Sequence, residues 1–361
     1  MTANNFHINF KLNGQSFSSI DELFEYSKTL SSSTNEFLED WFSNENSVSV
    51  KTSGSTGKPK VIQLKKEFMK NSAMATGEFF NLPAQTTALL CMSTEYIAGK
   101  MMLVRAMILG WHLDVVKPIS NPLKKLDKQY DFSAMVPLQL ENSLSEIESI
   151  KKLIVGGGIV SQELEKQIQD ISTEVFAMFG MTETITHIAV RKLNNFHPTN
   201  LASVSTYKLL PNVSVFKDDR SCLVIDAPEV SDAKVVTNDV VEVVSKNEFK
   251  WLGRFDHVIN SGGIKLHPEE IEKKLSNTIA QRFFVAGIPD QTLGEKLVLI
   301  VEENAVSNQV EKSFKSQLLI KLKNILTKYE TPKQIFLVGQ FVETETKKIQ
   351  RSKTLNLLFK D

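Results

Sequence analysis

The densest patch of phosphate-handling chemistry in the chain is one short run: Thr52, Ser53, Gly54, Ser55, Thr56, Gly57, Lys58, Pro59 and Lys60. Gly54 and Gly57 let the backbone approach an anion and take positive φ. Successive N–H groups and hydroxyls can wrap phosphate oxygens, and Lys58 and Lys60 add charge. Taken alone, such a Gly/Ser loop reads equally well as a surface turn. It is not a Walker A loop, because Thr52 stands five places before Gly57 and Lys58 is followed by Pro59. Zinc and disulfide chemistry find little support. Cys91 and Cys222 are the two cysteines, and no Cys/His cluster has zinc spacing.

The elements around this loop predict how it is held. Residues 48–52 read as a strand running into it. Residues 19–42 read as one amphipathic helix, with Leu23, Phe24, Leu30 and Leu38 on its apolar positions. From 62 to 111 the pattern predicts helix, strand over 87–92, then helix. Runs at 133–136 and 152–155 have strand length, each followed by a turn and a polar-rich helical stretch such as 161–170. Strands alternating with helices predict an α/β layered domain with a largely parallel sheet. After about residue 205 the apolar runs (213–216, 222–225, 240–244, 249–252) become short and close together, which reads as a small antiparallel β subdomain. Pro268 suits a first helical turn, with Glu269 and Glu270 at its positive end. Strands over 283–286 and 296–301 follow, then an amphipathic helix with Val310, Phe314, Leu318, Leu322 and Leu326 on one stripe. The chain is expected to divide into a large N-terminal domain, 1–254, whose β subdomain covers about 205–254, and a small mobile α+β cap, 255–361.

The loop from Thr52 to Lys60 resembles the phosphate loop of the acyl-adenylate-forming enzymes, the superfamily of acyl-CoA synthetases, peptide-synthetase adenylation domains and luciferases. Four more segments match in the family's order. Gly156, Gly157 and Gly158 resemble its adenine-side turn, and Phe179-Gly-Met-Thr-Glu-Thr184 its aromatic-Gly-x-Thr-Glu motif. Thr237-Asn-Asp239 resembles its Thr-Gly-Asp motif. Trp251-Leu-Gly-Arg-Phe-Asp256, with Ser261-Gly-Gly263 and Pro268-Glu-Glu-Ile-Glu272, resembles its hinge motif.

The resemblance implies a two-step reaction. A carboxylate attacks the α-phosphate of ATP, giving an acyl-adenylate and pyrophosphate, and a thiol then displaces AMP. Both steps develop negative charge, so positioned donors and cations should dominate. The resemblance gives ATP or AMP binding to Thr52, Ser53, Gly54, Ser55, Thr56, Gly57, Lys60, Gly156, Gly157, Phe179, Gly180, Asp239 and Arg254. Phe179 would offer an aromatic face to adenine; alone it reads as core. Thr182 would bond a phosphate oxygen, and Glu183 suits Mg²⁺, which binds through one or two carboxylates plus phosphates. Asp239 would accept the ribose hydroxyls, and Arg254 would reach ribose or phosphate. Asn238 replaces the family's usual glycine, and because asparagine tolerates the left-handed region the turn is expected to survive. Asp256 matches the hinge about which the small domain swings, and Ser261, Gly262 and Gly263 would line the thiol channel. Thr346-Lys-Lys-Ile-Gln-Arg351 resembles the terminal motif, which makes Lys348 the catalytic lysine and leaves Lys347 as the alternative; Lys333 fits the pattern before the preceding strand.

The acid pocket is expected from Tyr96, Lys100 and Arg105, whose segment, with residues 136–140, resembles the o-succinylbenzoate–CoA ligases of menaquinone biosynthesis. Lys100 and Arg105 can pair with a dicarboxylate or serve as ordinary ion-pair residues. His187 and His197 are candidates for the pocket rim. Family members commonly carry a longer region before the phosphate loop, where this sequence has about 50 residues. The alternatives are an aryl or fatty acyl-CoA ligase, a stand-alone enzyme loading a carrier protein, and a pseudoenzyme that senses nucleotide. Free CoA is the simpler acceptor, since no carrier domain is evident. Lys plus Arg and Asp plus Glu both total 42 among 361 residues, so a zero net charge disfavours a polyanion binder such as a nucleic-acid protein. The longest apolar stretch, 101–111, is broken by Arg105 and is short of the roughly 20 residues a membrane span needs. The N-terminus lacks a basic region followed by an apolar run, so a cytoplasmic enzyme is expected.

Overall fold

The computed structural model describes residues 6–51, 61–196, 206–303, 308–344 and 349–359. The chain divides into two compact units. One comprises Met1–Phe216, Val224–Val235 and Val244–Phe249; the other comprises Lys217–Leu223, Val236–Val243 and Lys250–Asp361.

The expected parallel sheet is present. Its order is Lys11–Leu12, His112–Val115, Thr87–Leu90, Tyr130–Met135, Ile150–Val155 and Glu174–Gly180, each parallel to its neighbour. Tyr130–Met135 is buried at nearly every position, which is why it reads as an apolar run without alternation. His187–Lys192 and Tyr207–Leu209 then add antiparallel. The strands Glu248–Arg254, Val235–Ser245, Cys222–Asp226 and Ser214–Lys217 continue the same 12-stranded sheet. The short strands expected after residue 205 are therefore its antiparallel extension.

Residues 19–42 form two helices instead of one, Ile20–Ser27 and Ser32–Phe42. The interruption has a local cause: the Ser31 hydroxyl accepts from the Thr34 N–H and caps the second helix, a role serine fills better than a helix interior. Ser47–Lys51 pairs antiparallel with Val61–Lys65, so both flanks of the glycine-rich loop are held in register. The helix Ile97–Leu109 is apolar on nearly all sides and is buried from Gly99 through Met107. A helix without a polar face belongs inside, and this one takes Lys100 and Arg105 in with it.

In the other unit, Phe283–Asp290 and Gly294–Glu302 pair antiparallel and Gln334–Val338 runs parallel to the latter. The helices Pro268–Leu275 and Asn308–Lys323 cover a core that includes Ile271, Leu299, Leu318, Leu322 and Ile335. Pro268 occupies the first turn as its fixed φ favours. Val310 does not join the expected stripe and is 54% exposed. No helix among the described residues is long and apolar enough to cross a membrane.

Candidate active site

Two of the sequence motifs leave the carboxyl ends of neighbouring parallel strands, where open α/β sheets bind ligands. Gly156 and Gly157 follow Ile150–Val155, with the Gly156 N–H bonded to the Met135 carbonyl at 3.0 Å. Phe179 and Gly180 end the adjacent strand, and Thr182 and Glu183 lie on the turn Thr182–Thr184. Phe179 is half-buried, edge-on to Phe249 at 5.1 Å and Tyr207 at 5.6 Å, so one aromatic cluster fixes its plane. Gly180 is required by close approach: a Cβ there would lie 1.9 Å from the Thr186 carbonyl oxygen.

Glu183 is exposed, and no carboxylate partner or donor holds it among the described residues. No group of three His, Cys, Asp or Glu side chains that could hold a metal occurs among those residues. The donor set fits Mg²⁺ carried mainly by phosphates, with one carboxylate added.

Directly after this motif, Ile185 has φ +66° and ψ −65°, and the Thr186 N–H bonds the Thr184 carbonyl at 2.8 Å. This is a γ-turn of the rare, strained form, on a β-branched residue that disfavours it. Sequence reading passes over it because isoleucine carries no turn signal. The turn delivers Thr186 to Arg105. The Arg105 guanidinium, 2% exposed, donates from Nε to Thr76 Oγ1 (3.2 Å) and from Nη2 to Thr186 Oγ1 (3.3 Å). Among the described residues it has no carboxylate partner, and burial draws its pKa down to about 10. His187 lies 3.4 Å from the Thr186 hydroxyl through Nδ1, and its buried Nε2 has no partner among the described residues. Burial, with Arg105 adding repulsion, draws its pKa down to about 3, so the ring is neutral. Lys100 turns elsewhere, its Nζ 4.8 Å from the Phe37 ring centroid, and burial lowers its pKa. Tyr96 stands at the start of that helix, 42% exposed.

The second unit gathers its own set. Asp239 accepts from the Trp251 indole N–H at 2.9 Å and lies 3.9 Å from Arg254. Burial raises its carboxyl pKa against both of these donors. Arg254 pairs with Asp256 at 3.1 Å. Asn238 departs from expectation: it lies in the strand Val235–Ser245 without a left-handed φ, so no αL asparagine is needed. Its amide oxygen instead accepts from Arg220 at 2.9 Å. Gly262 and Gly263, at φ +58° and +82°, join Ile259–Ser261 to Ile264–Leu266. Two positive φ values in a two-residue hairpin are a type I′ turn, so these glycines answer first to backbone geometry. Lys333 is exposed, its N–H bonded to the Leu297 carbonyl at 2.8 Å.

In sequence Arg351 closes the terminal motif without a partner; in the structure it is half-buried among carboxylates. Arg351 donates to Glu272 at 2.8 Å and to the Val285 carbonyl at 3.2 Å, and lies 3.7 Å from Glu269. Glu269 in turn meets His257 Nδ1 at 2.5 Å. The spacing of Glu269 and Glu272 on one helix face was the available signal. Thr52, Ser53, Gly54, Ser55, Thr56, Gly57, Lys58, Lys60, His197, Lys347 and Lys348 lie outside the described residues.

With this arrangement in view, comparisons with known proteins agree on one family. The family model described as AMP-binding enzyme matches residues 45–221. The structure of an acyl-CoA synthetase (AMP-forming)/AMP-acid ligase II-like protein from Dyadobacter fermentans is 36% identical, covers 92% of this chain and 97% of that one, and has a TM-score of 0.60. The 2-succinylbenzoate–CoA ligase of Staphylococcus epidermidis is 26% identical over 84% of this chain and 68% of the relative. This chain thus spans about two thirds of the length of such curated relatives; for a Staphylococcus aureus ligase of the same name the share is 65%. The fold is shared with Bacillus subtilis o-succinylbenzoate CoA synthetase in complex with its acyl-adenylate intermediate (20% identity, 84% of this chain and 68% of that one, TM-score 0.71). This chain belongs to the AMP-binding, acyl-adenylate-forming enzyme family.

Proposed function

We propose that the protein is an ATP-dependent acid–CoA ligase, located in the cytoplasm, that acts on an aromatic dicarboxylic acid, o-succinylbenzoate. The observation that carries the acid's identity is Arg105. A guanidinium buried beside two threonine hydroxyls and a neutral histidine, with no acid beside it among the described residues, is costly unless an anion arrives. A second carboxylate on the substrate supplies that anion, as a simple benzoate or fatty acid does not.

In the first step a carboxylate oxygen of the acid attacks the α-phosphorus of ATP. An acyl–oxygen–phosphorus link forms as the bond to pyrophosphate breaks. In the second step the CoA thiolate attacks the acyl carbon, a carbon–sulfur bond forms, and AMP leaves. On this reading Phe179, Gly156 and Gly157 face the adenine, Thr182 bonds phosphate, and Glu183 faces Mg²⁺. The metal would offset charge on the leaving pyrophosphate. Asp239 and Arg254 take the ribose, Lys348 bridges carboxylate and α-phosphate, and the phosphate loop with Lys60 cradles the triphosphate. Asp256 is the hinge and Ser261, Gly262 and Gly263 line the thiol's path.

The test is ATP–pyrophosphate exchange across a panel of acids, followed by addition of CoA. We expect o-succinylbenzoate to support exchange and thioester formation above benzoate and fatty acids. A preference for an acid with one carboxylate would overturn the substrate. Exchange without CoA transfer would point to carrier-protein loading. No exchange with any acid would leave a nucleotide-sensing pseudoenzyme.

A further inference from the structure

We propose that Trp251 is the positioning residue that aims the Asp239 carboxylate at a ribose diol; this rests on the ligase reading above, which gives Asp239 to the ribose. Asp239 is 8% exposed, and its carboxylate has two protein neighbours among the described residues. The Trp251 indole N–H donates to Oδ1 at 2.9 Å, and an Arg254 nitrogen stands 3.9 Å from Oδ2. The backbone beneath is also tied. The Asp239 N–H donates to Thr237 Oγ1 at 3.0 Å, and that hydroxyl donates to the Leu223 carbonyl at 2.9 Å.

A vicinal diol needs two acceptor lobes in one plane. The terminal torsion of aspartate is broad, so backbone ties alone do not set that plane. One directional N–H bond to Oδ1 does, and it leaves acceptor capacity on both oxygens, since an ionised carboxylate offers about four lone-pair sites. The same bond helps keep the buried group ionised, and thus an acceptor on both oxygens.

Packing alone does not explain a tryptophan here. The chain has three. Trp41 and Trp111 are core residues, 4% and 0% exposed, and the Trp111 Nε1 has no partner. Trp251 is half-buried on a strand, with its N–H directed at a carboxylate. Phenylalanine or leucine would fill that space without the hydrogen bond.

The readout is the preference for ATP over 2′-deoxy-ATP in pyrophosphate exchange, taken as the ratio of kcat/KM. Three proteins are compared with the parent: Trp251→Phe, the full chain carrying the isosteric 3-benzothienylalanine at 251, and Asp239→Asn. We expect both replacements at 251 to lower the ATP preference about tenfold, the worth of one hydrogen bond to a charged group. The change should fall mainly in KM, with the benzothienyl protein still unfolding cooperatively at a midpoint lowered by no more than about 5 °C. If Asp239→Asn lowers the preference while the benzothienyl protein retains it, the role of Trp251 is refuted and the ribose assignment stands. If Asp239→Asn leaves the preference intact, the ribose assignment fails and this inference fails with it.

Discussion

Arg105 is buried and Arg351 is half-buried, and the two are treated in opposite ways. Arg351 is bonded to Glu272, lies near Glu269, and sits over the Phe284 ring at 5.6 Å. Arg105 is more deeply buried, and among the described residues its hydrogen bonds go to threonine hydroxyls and a methionine sulfur. A neutralised guanidinium is a fastener, because its charge is consumed by the fold. An un-neutralised one is a liability to the fold and an asset to a ligand. On the function proposed above, the contrast separates a charge used by the fold from one left for a ligand.

The comparison can be broken in three ways. The largest effect should come from Arg351→Ala, which strands the largely desolvated Glu272 carboxylate. We expect a loss of about 3 kcal/mol in unfolding free energy, the low end for a buried pair, measured by denaturant titration of the full chain. Replacing Arg351 and Glu272 together by methionine and leucine should recover most of it. A loss below about 1 kcal/mol, the worth of an exposed pair, would mean that Arg351 is no fastener.

Arg105→Leu should do the reverse. Stability should hold or rise, while thioester formation from o-succinylbenzoate falls about 10²-fold, the usual consequence of losing one partner of a desolvated charge pair. Benzoate turnover, slow already, should change little. Equal losses with both acids would remove Arg105 from acid recognition.

The smallest effect concerns His187, which shares Thr186 with Arg105. Its folded pKa, about 3, is below the unfolded value near 6.5. The unfolded chain therefore takes a proton on acidification that the folded chain refuses, and stability falls as pH drops through that window. Between pH 6.5 and 5 this amounts to about 2 kcal/mol, and His187→Gln should flatten that share of the decline. A variant whose pH profile overlays the parent's would show that His187 is not held neutral.

What could be read in advance was local. Strand runs at 133–136 and 152–155, proline at the start of Pro268–Leu275, and the motif on the turn after Phe179 all depend on neighbours in sequence. The break at Ser31 was also local, but serine's preference for capping was outweighed in reading by the apolar positions on either side. The pairings of Arg351 with Glu272, Trp251 with Asp239 and Arg105 with Thr186 join residues that no pattern of spacing brings together. They follow from strand order and helix packing, and so became visible only with the fold. Arg105 is the clearest case. In sequence it interrupts an apolar stretch; in the structure it is the reason that stretch holds a charge at all.

The γ-turn at Ile185 sets a length scale. On the roles proposed above, Thr182 attends the reacting phosphate and Thr186 holds the arginine that meets the far end of the acid. Four residues of chain cannot separate the Cα atoms of Thr182 and Thr186 by more than about 14 Å, and a turn between them makes that separation shorter. The short tether couples the two ends: a change of backbone angle at Ile185 that moves Thr182 also moves the hydroxyl that Arg105 holds.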